Sequence, residues 1–326
     1  MTETPSIGFV AIGRNEGERF KRCLLSLKKE ATRIVYVDSG SADDSVPFAR
    51  AEGVEVVELP RDRPFTAARA RNAGFDALAS RWPDTDYVMF IDGDCELAPG
   101  FAEAAAQTLT ANSALGAVTG RCRERFPDAT VYNRLCDMEW DGPTGEIDAC
   151  GGIFMVRADG FRAAGRFNPA VIAAEDDDFC IRLRETGAKI ERIGRDMCFH
   201  DADMHHFGQW WRRMERAGHA FAQVGDLHPG YFAAERRRAW IWGLVIPATA
   251  LIGAPFTYGL SLALLLLYPL SLWKTRRGLI ARGAAPDHAT LAATFLTLSK
   301  FPTLIGLLDY KRKKMTGRQI GIVEYK

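Results

Sequence analysis

The stretch from Asp86 to Leu97, DYVMFIDGDCEL, constrains this chain more than any other. Tyr87, Val88, Met89, Phe90 and Ile91 form an unbroken apolar run rich in β-formers, the pattern of a strand buried on both faces. The run stops at Asp92-Gly93-Asp94. Two carboxylates one residue apart, just past the carboxyl end of a buried strand, stand where open α/β sheets place their ligands. They suit a hard divalent cation, which keeps waters and takes phosphate oxygens as further ligands. The competing reading is an acidic β-turn, since Asp-Gly is a common turn pair.

The rest of the first 200 residues alternates strand and helix patterns. Residues 7–12 (IGFVAI) read as the first strand, followed by a turn at Arg14-Asn15-Glu16-Gly17 and by Phe20, Cys23, Leu24 and Leu27 at helical spacing. Residues 33–38 (RIVYVD) and 54–59 (VEVVEL) are further strands, and 66–80 and 99–111 are Ala-rich helices. LGAVTG (115–120) follows as a strand. This alternation predicts an α/β fold with a Rossmann-like, mostly parallel sheet flanked by helices. Asp38 ends the second strand, so it is either a second ligand group at the same crevice or a turn residue. No G-x-G-x-x-G follows the first strand and no G-x-x-x-x-G-K-[ST] occurs, which disfavours a dinucleotide oxidoreductase and a P-loop enzyme.

Residues 121–150 carry an irregular pattern. Arg121, Arg123 and Arg125 at alternate positions suggest an edge strand or a mobile loop, either a solvated face or a flap over a phosphorylated ligand. Gly151-Gly152 leads into the strand IFMVR and allows close backbone approach to a ligand, unless it forms a bulge. Glu175-Asp176-Asp177-Asp178 opens a helix. Acids in a first turn favour the helix dipole, but four mutually repelling carboxylates exceed that need, and one held in a cleft can act as a general base. KIERI (189–193) reads as the last strand. His200, His205 and His206 follow as possible ligands or structural histidines, and 209–221 as a helix.

Charge divides the chain. Residues 1–225 carry 28 Lys+Arg against 36 Asp+Glu, and residues 226–326 carry 14 against 5. The boundary is expected there, with a catalytic domain over 1–225 and a helical membrane-associated region over 226–326. From Ala239 to Trp273 there is no charged residue, a run of 35 that is too long for one straight crossing of about 20 residues. Gly253-Ala254-Pro255 offers a break into two short helices. Arg236–Arg238 before the run and Lys274, Arg276 and Arg277 after it keep both ends on the cytoplasmic side. Residues 289–308, interrupted by Lys300 and Pro302, read as an interfacial helix, and the basic run 311–314 faces anionic headgroups. A basic segment this apolar points to a membrane surface and not to nucleic acid. A buried helical hairpin or a dimer interface is the alternative. The seven scattered cysteines contain no C-x-x-C pair, favouring a reducing compartment. The N-terminus lacks a basic leader and an apolar core, so no signal peptide is expected.

The motifs RNEGERFKRCLLSL, VYVDSGSADDSV, ARARNAGFDAL, FIDGDCEL, CGGIFMVR and EDDDFCIRLRETGAKI stand in an order and spacing that resembles family 2 glycosyltransferases of the GT-A fold. The resemblance covers about residues 6–225. It implies a metal-dependent inverting glycosyltransferase that uses Mg2+ or Mn2+, with a nucleotide-sugar donor. By matching position, Ile12, Arg14 and Asp38 would line the nucleoside pocket and Arg71 would lie near the base or diphosphate. Asp92 would contact the ribose or the metal, and Asp94 would bind the metal, with His200 a further candidate ligand. Gly152 falls on the donor side, and Asp176 would be the base that deprotonates the acceptor hydroxyl. Glu175, Gln209, Arg212 and Arg213 are candidates for the acceptor or diphosphate side. The last three look like a loosened Q-x-x-R-W element in which Arg213 replaces the Trp, so processivity does not follow. Ser39 stands where many members have a second Asp, which leaves the donor base open. The membrane segment and the resemblance together suggest a lipid-linked glycan acceptor at the inner membrane, in surface polysaccharide synthesis. A nucleotidyltransferase would want a Gly-rich basic loop after the first strand, and RNEGE is a poor match. A non-catalytic binding module would be expected to lack carboxylates that are all present here.

Overall fold

The computed structural model describes residues 5–317. Its strands are β1 (Ile7–Gly13), β2 (Ile34–Asp38), β3 (Glu55–Glu58), β4 (Tyr87–Asp92), β5 (Cys95–Leu97), β6 (Leu115–Glu124), β7 (Gly145–Glu146), β8 (Phe154–Arg157) and β9 (Lys189–His200). They form one sheet in the order β3-β2-β1-β4-β8-β6-β9-β5, with β7 on β9. The first four are parallel neighbours; β8 then runs antiparallel to both β4 and β6, and β6 and β9 are parallel again.

Strand β4 shows why the sheet is central. Its side chains alternate between two cores, Tyr87, Met89 and Ile91 in one and Val88 and Phe90 in the other. Helices Glu18–Leu27 and Phe101–Ala111 cover the first face, through Phe20, Leu24, Phe101 and Leu109. Helices Ala67–Arg81, Ala158–Ala163 and Glu175–Glu185 cover the second, through Phe75, Phe161 and Phe179. Each fully buried aliphatic or aromatic side chain contributes about 1.5–3 kcal/mol. The second core holds an aromatic cluster: Phe90 lies 5.0 Å from Phe161 and 5.3 Å from Phe167 between ring centroids, and Phe154 stacks on Phe179 at 5.6 Å.

Three expectations need correction. Strand β9 does not stop after KIERI but runs on to His200, because Gly194-Arg195-Asp196 interrupts the apolar pattern without ending the pairing to β6. Strand β6 continues to Glu124, so Arg121 and Arg123 do not lie in a loop; β8 reaches only Ala117 and Val118, and beyond them β6 pairs with β9 alone, as an edge does. Their charge is matched by carboxylates distant in sequence: Arg121 by Asp137 and Asp141, Arg123 by Asp196, and Arg125, just past the strand, by Glu96. Inside the stretch read as irregular lies a helix, Val131–Trp140, and the three-residue β5 follows the Asp92–Asp94 turn directly.

The chain divides into two compact units. One runs through Asp203 apart from residues 130–135; the other holds Thr130–Leu135 and the chain from Met204 onward. Helix Phe207–Leu227, which straddles the expected boundary at 225/226, lies in the second unit. There the uncharged run forms no single long helix. It is broken into a π-helical turn at Ile241–Val245, a helix at Ile246–Gly253, a 3-10 stretch at Leu260–Leu266 and a helix at Leu267–Ala281. Among the described residues, Pro286–Thr316 is the one helical stretch long and apolar enough to cross a membrane by length and composition. It bends at Ser299, and its second half buries Pro302, Leu304, Gly306, Leu307 and Tyr310. Helix Phe207–Leu227 crosses it at backbone contact: a Cβ at Gly218 would lie 2.0 Å from the Thr303 carbonyl oxygen, and one at Gly306 1.9 Å from that of Glu215.

Candidate active site

The parallel strands deliver their carboxyl ends level with one another. Gly13 is in register with Asp38, and Ile12 with Asp92. The loops beyond are stitched together: Asn15 N donates to Ser41 Oγ at 2.9 Å, Ala42 N to Asn15 Oδ1 at 2.7 Å, and Gly17 N to Asp43 Oδ2 at 2.9 Å. Asp38 is buried. Its Oδ2 accepts from the amides of Gly40 and Ser41 at 2.8 and 2.9 Å, and its Oδ1 from the Tyr36 hydroxyl at 2.9 Å. These bonds fix the loop shape beside Ile12. Arg14 stays exposed, its guanidinium 5.7 Å from the Phe65 ring centroid.

Arg71, on helix Ala67–Arg81, is only 2% exposed and joins the two acidic stretches. Its Nη2 donates to Asp92 Oδ1 at 2.8 Å and its Nη1 to Glu175 Oε1 at 2.6 Å. The guanidinium lies 5.4 Å from the Phe167 ring centroid, so the aromatic cluster of the core supports it from below. Glu175 is therefore the buried partner that keeps Arg71 aimed. Asp178 is likewise employed, pairing with Arg182 at 2.7 Å. Two of the four clustered acids thus serve structure.

Gly151 and Gly152 pass over this pair. A Cβ on Gly152 would stand 2.5 Å from Arg71 Nη2 and 3.6 Å from Asp92 Oδ2, while one on Gly151 would stand 3.9 Å from Asp176 Oδ2. Asp92 and Asp176 therefore flank two consecutive glycines. The Asp92 side chain keeps 37% exposure. Loss of water pushes its carboxyl up, Arg71 pulls it down, and Asp94 and Glu175 push it up again. Asp176 rises to about 8, chiefly through burial and then through the charges of Asp177 and Glu175. A carboxyl poised near neutrality can take up a proton during a reaction.

Asp94 and His200 meet on the other side of the Asp92 turn. His200 Nε2 lies 3.3 Å from Asp94 Oδ2, because β5 pairs antiparallel with the end of β9 and sets Cys95 opposite His200. Gly93 makes the turn possible: its amide donates to Ile12 O at 2.7 Å, and a Cβ there would come within 3.1 Å of that same oxygen. Asp94, Cys95 and His200 offer ligand atoms within 4.8 Å of one another. Burial drives the Cys95 thiol well above its ordinary range, which keeps it protonated and leaves the carboxylate and imidazole as donors. One oxygen and one nitrogen donor, completed by water and phosphate oxygens, would fit Mn2+ or Mg2+. Glu124 and Trp140 were not legible as partners of this group. Glu124 Oε2 lies 3.9 Å from His200 Nδ1 and accepts from Ala202 N at 3.0 Å, and the Trp140 ring meets the imidazole edge-on at 4.7 Å. They pack beside the ring, Glu124 lying beyond hydrogen-bond distance of Nδ1.

Gln209, Arg212 and Arg213 lie on helix Phe207–Leu227 of the second unit. Gln209 caps that helix, its Oε1 accepting from the amides of His205 and His206 at 2.8 and 3.0 Å.

A sheet of this topology, with two carboxylates past β4, a buried arginine between them and the acids of helix Glu175–Glu185, and a carboxylate–imidazole pair beside it, is a GT-A glycosyltransferase architecture. Residues 10–169 match Glycosyl transferase family 2, and that stretch of the chain belongs to the family. The SPbeta prophage-derived glycosyltransferase SunS of Bacillus subtilis strain 168 is 31% identical over 93 residues, a match spanning 28% of this chain and only 21% of that protein. Among solved structures, the mannosyltransferase PcManGT from Pyrobaculum calidifontis, in complex with GDP-Man and Mn2+, superposes with a TM-score of 0.59 at 17% identity, over 96% of this chain and 89% of that one. S. aureus TarS 1-349 superposes with a TM-score of 0.50 at 11% identity, over 96% and 92%.

Proposed function

We propose that this glycosyltransferase moves a sugar from a nucleotide-sugar to an acceptor hydroxyl with inversion at the anomeric carbon. The observation that carries the proposal is the pair of glycines at 151–152, flanked by Asp92 on one side and the poised carboxyl of Asp176 on the other. The donor would lie along the carboxyl ends of β1, β2 and β4, with Ile12, Arg14 and the Asp38 loop on the nucleoside side and Arg71, Asp92 and Gly152 near the diphosphate and sugar. Asp94 and His200, with Asp92 near them, would hold Mg2+ or Mn2+. When bound, the ion neutralises charge on the leaving diphosphate.

Asp176 accepts the proton of the acceptor hydroxyl as its oxygen forms a bond to the anomeric carbon. The bond from that carbon to the diphosphate oxygen breaks, and its electron pair leaves with the nucleoside diphosphate. One base on one face, with no carboxylate nucleophile, gives a single displacement and an inverted product. Arg71 opposes protonation of Asp92 and holds Glu175 in place, and Asp176 is the carboxyl assigned to take the proton. Glu175, Gln209, Arg212 and Arg213 are assigned to no contact with the acceptor. The apolar second unit suits action at the cytoplasmic face of the inner membrane on a lipid-linked glycan in surface polysaccharide synthesis.

The test is binding and turnover of UDP-, GDP- and dTDP-sugars with Mn2+ or Mg2+ in detergent, comparing wild type, Asp94→Ala and Asp176→Asn. Metal-dependent binding lost in Asp94→Ala, and binding kept with turnover lost in Asp176→Asn, is the expected pattern. A wild type that binds no nucleotide-sugar, or variants indistinguishable from it, would overturn the proposal.

A further inference from the structure

The uncharged run of the second unit folds back on itself. Ser261 Oγ donates to Ala250 O at 2.8 Å, the Tyr268 hydroxyl donates to Trp242 O, and the Trp242 and Tyr268 rings meet at 5.6 Å. These contacts zip an outgoing arm, Ile241–Gly253, to a returning arm that begins at Leu260. Tyr258 and Gly259, at φ of 50° and 85°, turn the chain between them. The turn is apolar and bare, with Phe256 81%, Tyr258 102% and Leu260 77% exposed.

An apolar tip is common to membrane hairpins and to protein interfaces, but two features favour lipid. The first is that the turn pairs many of its backbone groups internally, leaving the Tyr258 hydroxyl as its exposed polar atom. Thr257 N donates to Gly253 O at 3.0 Å, Gly259 N to Ala254 O at 2.8 Å and Leu260 N to Thr257 O at 3.0 Å, while Thr257 Oγ1 donates to Gly253 O and accepts from Ser261 N. Irregular backbone survives in hydrocarbon only when satisfied in this way. The second is the distribution of charge. All cations of this segment collect at its base: Arg236, Arg237 and Arg238 before the outgoing arm, and Lys274, Arg276 and Arg277 after the returning one. Two tryptophans sit with them, Arg277 lying 4.7 Å from the Trp273 ring centroid and Lys311 5.3 Å from that of Trp240. Tryptophan and cation at one level mark a headgroup boundary.

Length then decides how far the hairpin goes. From Trp242 to Gly253 a helix rises about 17 Å at 1.5 Å per residue, against about 30 Å of hydrocarbon. We propose that Ile241–Trp273 is a monotopic hairpin that inserts into one leaflet of a bilayer with anionic headgroups, its Phe256–Leu260 tip near the midplane and its basic collar at the surface, without crossing. This deepens the membrane association proposed above and does not depend on the transfer chemistry. Pro286–Thr316 is the less suited segment, because backbone contact at Gly218 and Gly306 packs it against helix Phe207–Leu227.

The test uses the full chain and vesicles of phosphatidylcholine with or without phosphatidylglycerol, read by co-flotation. Wild type should float with the anionic vesicles, and Phe256→Asp/Tyr258→Asp should float about tenfold less at an unchanged melting temperature. A Tyr258→Cys chain bound to sealed vesicles should be shielded from a membrane-impermeant maleimide on both sides. Labelling from the lumen would overturn the proposal in favour of a span, and outside labelling as fast as without lipid would show that the tip stays in water. If the Asp variant loses a dimer while floating as wild type does, the tip is an interface between copies and the proposal fails. No nucleotide-sugar is needed, so this outcome is separable from failure of the catalytic reading.

Discussion

Arg71 and Glu175 lie 104 residues apart in the chain and 2.6 Å apart in space, both buried. Removing one partner of a buried pair strands the other charge, which costs about 3–5 kcal/mol. Arg71→Ala should therefore lower the denaturant midpoint sharply. Arg71→Ala/Glu175→Ala should be less destabilised than the sum of the single changes. Urea unfolding of the four proteins in a double-mutant cycle measures the coupling, and simple additivity would mean that the pair holds nothing together.

Asp176 gives a pH signature with a definite sign. Its carboxyl titrates near 8 in the folded chain and near 4 when unfolded, so between those values the folded state binds the extra proton. Stability from this group is present at low pH and is lost as pH rises towards 8. Asp176→Asn should thus be the more stable protein above pH 8, by on the order of 1–3 kcal/mol, while turning over about 100-fold or more slowly. In the wild type, turnover should rise with pH on a limb displaced above the ordinary carboxylate range. Thermal melts from pH 5 to 9 beside a pH–rate profile check both halves.

Gly152→Ala pushes a methyl group into the Arg71 guanidinium at 2.5 Å. The expected cost is about 1–3 kcal/mol of stability, with a larger loss of donor affinity because Asp92 loses its orienting partner. Gly151→Ala should keep the Arg71 contact, although its φ of 72° adds backbone strain. Calorimetric titration of the donor distinguishes the two.

Asp94→Asn and His200→Ala should each weaken Mn2+ binding about 10–100-fold, whereas Cys95→Ser should leave it within a few-fold. Glu124→Gln should fall between them, because it removes a negative charge 3.9 Å from the imidazole Nδ1. The Mn2+ paramagnetic resonance signal reads free against bound ion directly, without any sugar present.

Gly306→Ala would place its methyl carbon 1.9 Å from the Glu215 carbonyl oxygen, a collision with backbone that no rotamer relieves. The second unit should lose several kcal/mol or unfold first, seen as a separate early transition by calorimetry.

What could be read from the residues alone depended on how local each signal was. Asp92 and Asp94 were legible because a buried strand announces its own end, and Asp176 because four acids opening one helix demand an explanation. Glu175 and Arg71 were each visible, but nothing in a linear pattern pairs positions 104 apart. The partners of Arg121, Arg123 and Arg125 were hidden for the same reason, since their neutralising carboxylates come from other elements. Helix Val131–Trp140 does carry Val131, Leu135, Cys136 and Trp140 at helical spacing, a signal overlooked within an irregular stretch, whereas β5, three residues long, is below the reach of any periodicity.

The pairing of Cys95 with His200 across β5 and β9 has a genetic consequence. Side chains alternate faces along a strand, so deleting or inserting one residue within 95–97 or 198–200 would turn the imidazole away from Asp94 while leaving both residues in the chain. Point changes can tune this cation pocket by degrees. Frame-preserving indels in either nine-nucleotide stretch would abolish it in one step, so its spacing tolerates less change than its chemistry.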